Sequence, residues 1–268
     1  MAIVTISRGS YSMGKEVAEQ VAQRLGYECI AREVLLEASE QFNVPELKLL
    51  EAVKDAPSVL ERLMHQKERY VASIQAALLN HVKRDNVVYH GFAGHFFLRD
   101  VPHVLKVRIL ADMEDRVRIL MERDGKPRRE ARRILNRIDN QRRKWSLRLY
   151  GIDTWDPALY DLVINVRRLT VASAVGIICH SAGLPEFRTT PESQGAVDDL
   201  CLASEVRIAL SVLGADMEVE ARDGAVSVIT KAPKSQEDIL SREVERIGRG
   251  VAGVRSLRVE VIPVSLFE

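Results

Sequence analysis

The stretch from Ala2 to Leu25 constrains the fold more than any other part of the chain. A short β-branched apolar run, Ala2 to Ile6, leads into a polar, glycine-containing loop, Ser7 to Gly14. Lys15 to Leu25 follows, with Val17, Ala18, Val21, Ala22 and Leu25 at helical spacing and Gly26 as the residue that ends the helix. A strand that is apolar throughout is buried on both faces, as the strands of parallel sheets are. Between strand and helix, Gly9-Ser10-Tyr11-Ser12-Met13-Gly14-Lys15 fits the spacing G-x-x-x-x-G-K. Spacing, lysine and context together set it apart from a plain strand-to-helix turn and point to a phosphate-binding loop. Glycines let several backbone N–H groups turn inward, the helix N-terminus adds partial positive charge, and Lys15 reaches the β- and γ-phosphates. The next position usually supplies a hydroxyl to Mg²⁺, but here it is Glu16, followed by Val17. Ser10 or Ser12, or water and the phosphates themselves, remain as ways of holding the ion.

The same rhythm continues. Strands are expected at 27–30, 86–89, 104–110 and 162–166. Helices are expected from Arg32 to Gln41, across 45–84, and over 112–124, 127–145 and 170–180. Alternating strands and helices predict an α/β fold, a parallel sheet flanked by helices. Residues 187–196, polar with Pro191 and Gly195, read as a linker between a unit spanning 1–186 and one spanning 197–264. The second unit reads as helix-strand-strand-helix-strand, a small α+β (αββαβ) domain, with Arg222-Asp223-Gly224 as a hairpin turn.

Charge is balanced overall, net +1, but unevenly placed. Arg116 to Arg148 is strongly basic, which suits it to anions, whereas residues 197–268 are mildly acidic, which argues against nucleic acid. In the basic stretch Arg129, Arg133 and Arg137 stack on one helical face, with Arg142 and Arg143 beyond and Asp139 placed to orient one of those two. Several arginines closing over a moving phosphoryl group would neutralise its charge in the transition state, Arg133, Arg137 and Arg142 foremost. A solvated basic face is the bland alternative.

Ile3 to Gly26, Ala31-Arg32-Glu33, the strand running into Gly91, and Tyr160-Asp161-Leu162-Val163-Ile164-Asn165 together resemble the cytidylate kinase-like family over roughly residues 1–185. The resemblance implies the P-loop nucleoside monophosphate kinase fold and transfer of a phosphoryl group from ATP, with Mg²⁺, to a nucleoside monophosphate beneath a mobile arginine-rich lid. Gly9 to Glu16 would then hold the donor, and Gly91, Phe92 and Arg32 the acceptor. Cytidylate kinases carry Arg-Asp after the glycine that ends the third strand, and this chain has Gly91-Phe92-Ala93. Phenylalanine can stack on a base but cannot form a bidentate bond to phosphate, so Arg32 is the acceptor-phosphate candidate, ahead of Arg99 and Asp100. Residues 197–264 resemble a BON domain, with Asp223-Gly224 in the hairpin and Gly250 to Val254 before the last strand. That resemblance implies ligand sensing or assembly into a homo-oligomer; packing against the kinase unit is the bland alternative.

Other residues carry weaker signals. His90 and His95 flank the acceptor region without a third ligand at metal spacing, so no metal site is expected. Asp112 reads as a helix N-cap, and Asn165 and Arg167 lie where a sheet receives nucleotide at its strand ends. Trp145, Tyr150, Trp155 and Tyr160 read as core or contact aromatics, one of which could stack on adenine. Three scattered cysteines, no long apolar run and no leader-like start suggest a reducing, cytoplasmic setting without a membrane span. Three functions stay open: a nucleotide kinase; a nucleotide-binding sensor with weak or no turnover, motivated by Glu16 and Phe92; and, last in rank, a nucleic-acid binder acting through the basic helix, which steep salt dependence of duplex or RNA affinity would mark.

Overall fold

A computed structural model describes residues 2–31, 34, 64–91, 94–214 and 216–264; for 64–71, 145 and 148–150 the description is of the backbone. The helices expected over 32–41 and 45–63 lie outside the described residues, apart from Val34.

Five strands form one parallel sheet: β1 (Ile3–Arg8), β2 (Glu28–Ile30), β3 (Val87–Tyr89), β4 (Val104–Leu110) and β5 (Leu162–Asn165), in the order β2-β3-β1-β4-β5. β1 takes the centre, where both faces are covered. Val4 and Ile6 pack with Val17, Val21, Ala174 and Ile178 of α1 (Gly14–Leu25) and a helix near residue 180. Ile3 packs on the opposite side, with Leu78, Leu79 and Val82. Those side chains come from α2 (Met64–Val82). A four-residue helix, α3 (Gly94–Phe97), follows β3 and was not legible in the periodicity. Between β4 and β5 stand two longer helices, α4 (Met113–Asp124) and α5 (Arg128–Tyr150), the second running five residues past its expected end. They share a small core of Val117, Leu120, Ala131 and Leu135. The helix near residue 180 is α6 (Val171–Ala182), capped by Thr170.

The stretch read as a linker is largely the start of a helix. The helix α7 (Pro191–Leu210) begins inside it, because Thr190 and Ser193 form a reciprocal capping box and proline suits the first helical turn. Its first half places Val197 and Cys201 in the core beneath α2, and burial pushes the Cys201 thiol up to about 12. Its second half gives Ala203, Val206 and Leu210 to a separate core. That core lies under a second sheet, β6 (Met217–Arg222), β7 (Ala225–Pro233) and β8 (Ser256–Val264), with α8 (Glu237–Gly248) packed on it. The order αββαβ is as expected. Asp223 and Gly224, both at positive φ (48° and 78°), make the two-residue hairpin turn that the strand twist favours. No described helix is long and apolar enough to cross a membrane.

Candidate active site

The phosphate loop follows β1, the middle strand, at the carboxyl end of the sheet, where α/β folds receive ligands. Its conformation differs from the expectation in one respect. The left-handed positions are Tyr11 and Met13, both at φ 59°, rather than the glycines. A left-handed non-glycine residue costs about 1–2 kcal/mol, so other contacts must fix it. Tyr11 is fixed by its hydroxyl, which donates to Asp124 at 2.9 Å and accepts from Arg123 at 2.7 Å, and by the Arg123 guanidinium 4.6 Å from its ring. Ser12, buried, donates to the Gly9 carbonyl at 2.8 Å. Gly14 is required by space, since a Cβ there would stand 2.6 Å from Cβ of Arg8.

A cavity of about 480 Å³ opens beside the loop. Gly9 and Ser12 lie in its wall; Lys15 and Glu16 do not. Lys15 is exposed and pairs with Glu19 at 3.4 Å, and Glu16 accepts from Gln20. Arg116 is the strongest link across this end. Its Nε donates to the Ser10 carbonyl at 2.8 Å, and its two Nη atoms clasp Asp139 at 2.8 and 2.9 Å. Asp139 therefore orients Arg116, not Arg142 or Arg143 as expected. Arg142 lies in the cavity wall and donates to the Arg8 carbonyl at 3.3 Å. Burial, with Arg8 nearby, brings its guanidinium down to about 10. Burial also lowers Arg8 itself, whose Nε has no hydrogen-bond partner among the described residues.

The other arginines are spent differently. Arg128 and Arg132 pair with Glu114 at 2.6 and 2.8 Å, and Arg143 clasps Asp153 and lies 4.7 Å over the Trp155 ring. Arg133 and Arg137 are exposed and outside the cavity wall, away from Arg142.

The cavity wall also holds Gly91, His95, Phe96, Arg108, Thr154 and Trp155. Ser7 and Arg108 are register partners on β1 and β4, so their side chains share a face. The Tyr160 hydroxyl gathers the group: it accepts from Arg108 Nη1 at 3.0 Å, lies 3.1 Å from Nε2 of His95 and 3.3 Å from Ser7 Oγ. Arg108 also donates to the Thr154 carbonyl. His95 is buried; desolvation first, then Arg108 and Lys106, bring it down to about 3, so it stays neutral. Arg32 and Phe92 lie outside the described residues, while Arg99 and Asp100 are exposed and outside the cavity wall. Asp112 occupies the N-cap position but makes no cap bond. Its carboxylate pairs with Arg167 at 2.9 Å, tying the end of β5 to the start of α4.

Sequence reasoning missed Arg8, Arg108 and Arg116. The signal for Arg108 was available, because Lys106 and Arg108 interrupt an otherwise apolar parallel strand. Arg116 carries no such mark: its role depends on Asp139, twenty-three residues away.

The loop suits polyphosphate, since it joins a helix N-terminus to buried cationic groups, with Arg8 Nε lacking an acceptor among the described residues. Mg²⁺ finds less. Among the described residues no three His, Cys, Asp or Glu side chains are grouped to hold a metal, and Ser12 is engaged with Gly9.

A parallel sheet of this order, with the phosphate loop after its middle strand and an arginine-rich helix pair between the fourth and fifth strands, defines a P-loop kinase fold. Within that class, the chain belongs to the cytidylate kinase-like family, whose model matches residues 3–168. It is 29% identical over 190 residues to the cytidylate kinase of Archaeoglobus fulgidus, covering 69% of this chain and 97% of that protein. It is 33% identical over 105 residues to the cytidylate kinase of Pyrobaculum arsenaticum, 39% of this chain and 56% of that one. In structure it resembles an uncharacterized protein from Eubacterium ventriosum, with a TM-score of 0.51, 18% identity, and coverage of 68% of this chain and 98% of that one. The family match ends before α6, so β6 to β8 lie beyond it.

Proposed function

We propose that the protein is an ATP-dependent nucleoside monophosphate kinase, with cytidylate as the first acceptor to test. One observation carries the reading: a single cavity is lined by residues of the phosphate loop, by Arg108 and His95, and by Arg142 and Asp139 of the arginine-rich helix. The bond from the β,γ-bridging oxygen to the γ-phosphorus breaks, and a bond from an acceptor phosphate oxygen to that phosphorus forms, giving ADP and a nucleoside diphosphate. Such a reaction runs on position and charge, which is what these residues offer. The loop N–H groups hold the donor phosphates, Arg116 fixes the loop through the Ser10 carbonyl, and Arg142 faces the moving group. Lys15 would leave Glu19 to reach the phosphates. Bound Mg²⁺ would neutralise phosphate charge, held through phosphate and water, with Ser10 the nearest spare hydroxyl of the loop.

Residues 1–186 are read as the transferase unit and 197–264 as a second, BON-like unit that senses a ligand or mediates assembly. The exposed Lys15–Glu19 pair and the absence of a hydroxyl at position 16 favour a second reading, a nucleotide sensor with little turnover. The test is transfer from γ-labelled ATP with Mg²⁺ to a panel of ribo- and deoxyribonucleoside monophosphates. Labelled diphosphate that disappears in Lys15→Ala supports the kinase. ATP binding without product from any acceptor favours the sensor, and no ATP binding sinks both.

A further inference from the structure

We propose that Arg108 is the residue that grips the acceptor's phosphate, with Tyr160 as the positioning residue that aims it; the assignment rests on the kinase reading above. Position 92, where cytidylate kinases carry arginine, is phenylalanine in this chain, so the acceptor's charge needs another partner. The cavity wall carries Arg8, Arg108, Arg116 and Arg142 against one carboxylate, Asp139, and Arg116 already clasps that one. Of the remaining three, Arg8 and Arg142 stand at the phosphate loop, where the donor belongs.

Arg108 is grouped instead with Thr154, Tyr160 and, by strand register, Ser7. It projects from β4, one of the two strands that flank the middle strand, so its backbone cannot drift. Its only hydrogen bonds to described residues run from Nη1 to two uncharged oxygens, the Thr154 carbonyl and the Tyr160 hydroxyl. Nε and Nη2, the edge of the guanidinium that binds a phosphate bidentately, give no bond to any described residue. A structural arginine in a half-buried site ordinarily ends on a carboxylate; this one is held by neutral groups and forms no ion pair with a described carboxylate. Asp153, whose charge reaches Arg108, is taken by Arg143 and the Trp155 backbone N–H. His95 lies on the other side of Tyr160 and stays uncharged, so it does not compete for the anion. Trp155, half exposed in the same wall, offers a face on which the acceptor's base can lie.

The experiment compares CMP with cytidine, which lacks the phosphate, by equilibrium binding to the full chain, alongside steady-state transfer from ATP. Arg108→Met is expected to weaken CMP binding about tenfold or more, toward that of cytidine, to leave cytidine unchanged, and to raise KM for CMP by the same factor with KM for ATP within about twofold. Arg108→Lys recovers part of the loss, because it restores the charge without the fork. Tyr160→Phe keeps the guanidinium and loses its aim, so a smaller rise in KM for CMP is expected; this variant carries the test if Arg108→Met does not fold. An unchanged CMP-to-cytidine ratio in Arg108→Met overturns the assignment and leaves the kinase standing. A wild-type protein that neither binds nor phosphorylates any monophosphate overturns both.

Discussion

Two parts of the cavity wall are built from different materials. The loop part is made of consecutive residues: a strand, a loop and a helix within Ile3–Leu25, with Gly14 admitting the Arg8 side chain. The other part is made of side chains brought together by the sheet: Ser7 from β1, His95 after β3, Arg108 from β4 and Tyr160 before β5. The first kind of site is robust to side-chain change and intolerant of backbone displacement. The second kind is the reverse.

The sharpest way to break that contrast is at Gly14. Gly14→Ala places a methyl group 2.6 Å from Arg8 Cβ, and neither atom is the free end of a flexible chain. Equilibrium binding should show ATP affinity falling about 100-fold, the cost of a misplaced backbone. Near-normal ATP binding in this variant would mean that the loop part does not depend on its close approach. Next comes Asp139→Asn, which leaves Arg116 buried without its carboxylate. Denaturant titration should give a loss of about 3 kcal/mol, with ATP binding weakened as the Ser10 carbonyl loses its anchor.

In the other part the expected signature is a pH effect. His95 sits near 3 when folded against an ordinary 6.5, so between those values the unfolded chain binds the extra proton. Its contribution to stability is complete above about pH 6.5 and is lost progressively as pH falls toward 3, by up to about 1.4 kcal/mol per pH unit. His95→Gln should therefore flatten the stability profile measured between pH 7 and pH 4 relative to wild type. His103, also lowered by burial, titrates in the same direction and stays in both proteins, so only the difference is read. An unchanged slope would mean that His95 is not held neutral. The smallest effect belongs to Tyr11→Phe. Its hydroxyl partners are exposed, so KM for ATP should rise only about two- to threefold.

These differences track what a sequence can say. The strand–loop–helix unit was legible because its determinants are neighbours: Val17, Val21 and Leu25 set the helix, and Gly14 stands where only a glycine fits against Arg8. The parallel sheet and the αββαβ unit were legible for the same reason, and so was the hairpin at Asp223-Gly224. What a local reading could not supply was partnership. Asp139 looked available to Arg142, three residues on, but the fold gives it to Arg116. Arg133 and Arg137 share a helical face with each other and not with the cavity. Residues 187–196 looked like a linker because proline and serine are common in loops, yet the same residues form a capping box when a helix follows. Tyr11 is left-handed without being glycine, since a partner more than a hundred residues away holds it.

The helix α7 contributes Val197 and Cys201 to one core and Ala203, Val206 and Leu210 to the other, with Arg207 bridging Gln75 of α2 and the Val219 carbonyl of β6. In terms of inheritance, the second unit is not a cassette. A recombination that cut the gene at the end of the family match would leave the apolar ground under α2 open to water. One that cut after residue 210 would carry Ala203, Val206 and Leu210 of the partner's core away with the first unit. The two parts can be exchanged only with a matching helix between them, so they are bound to vary together, each constrained by a surface on the other.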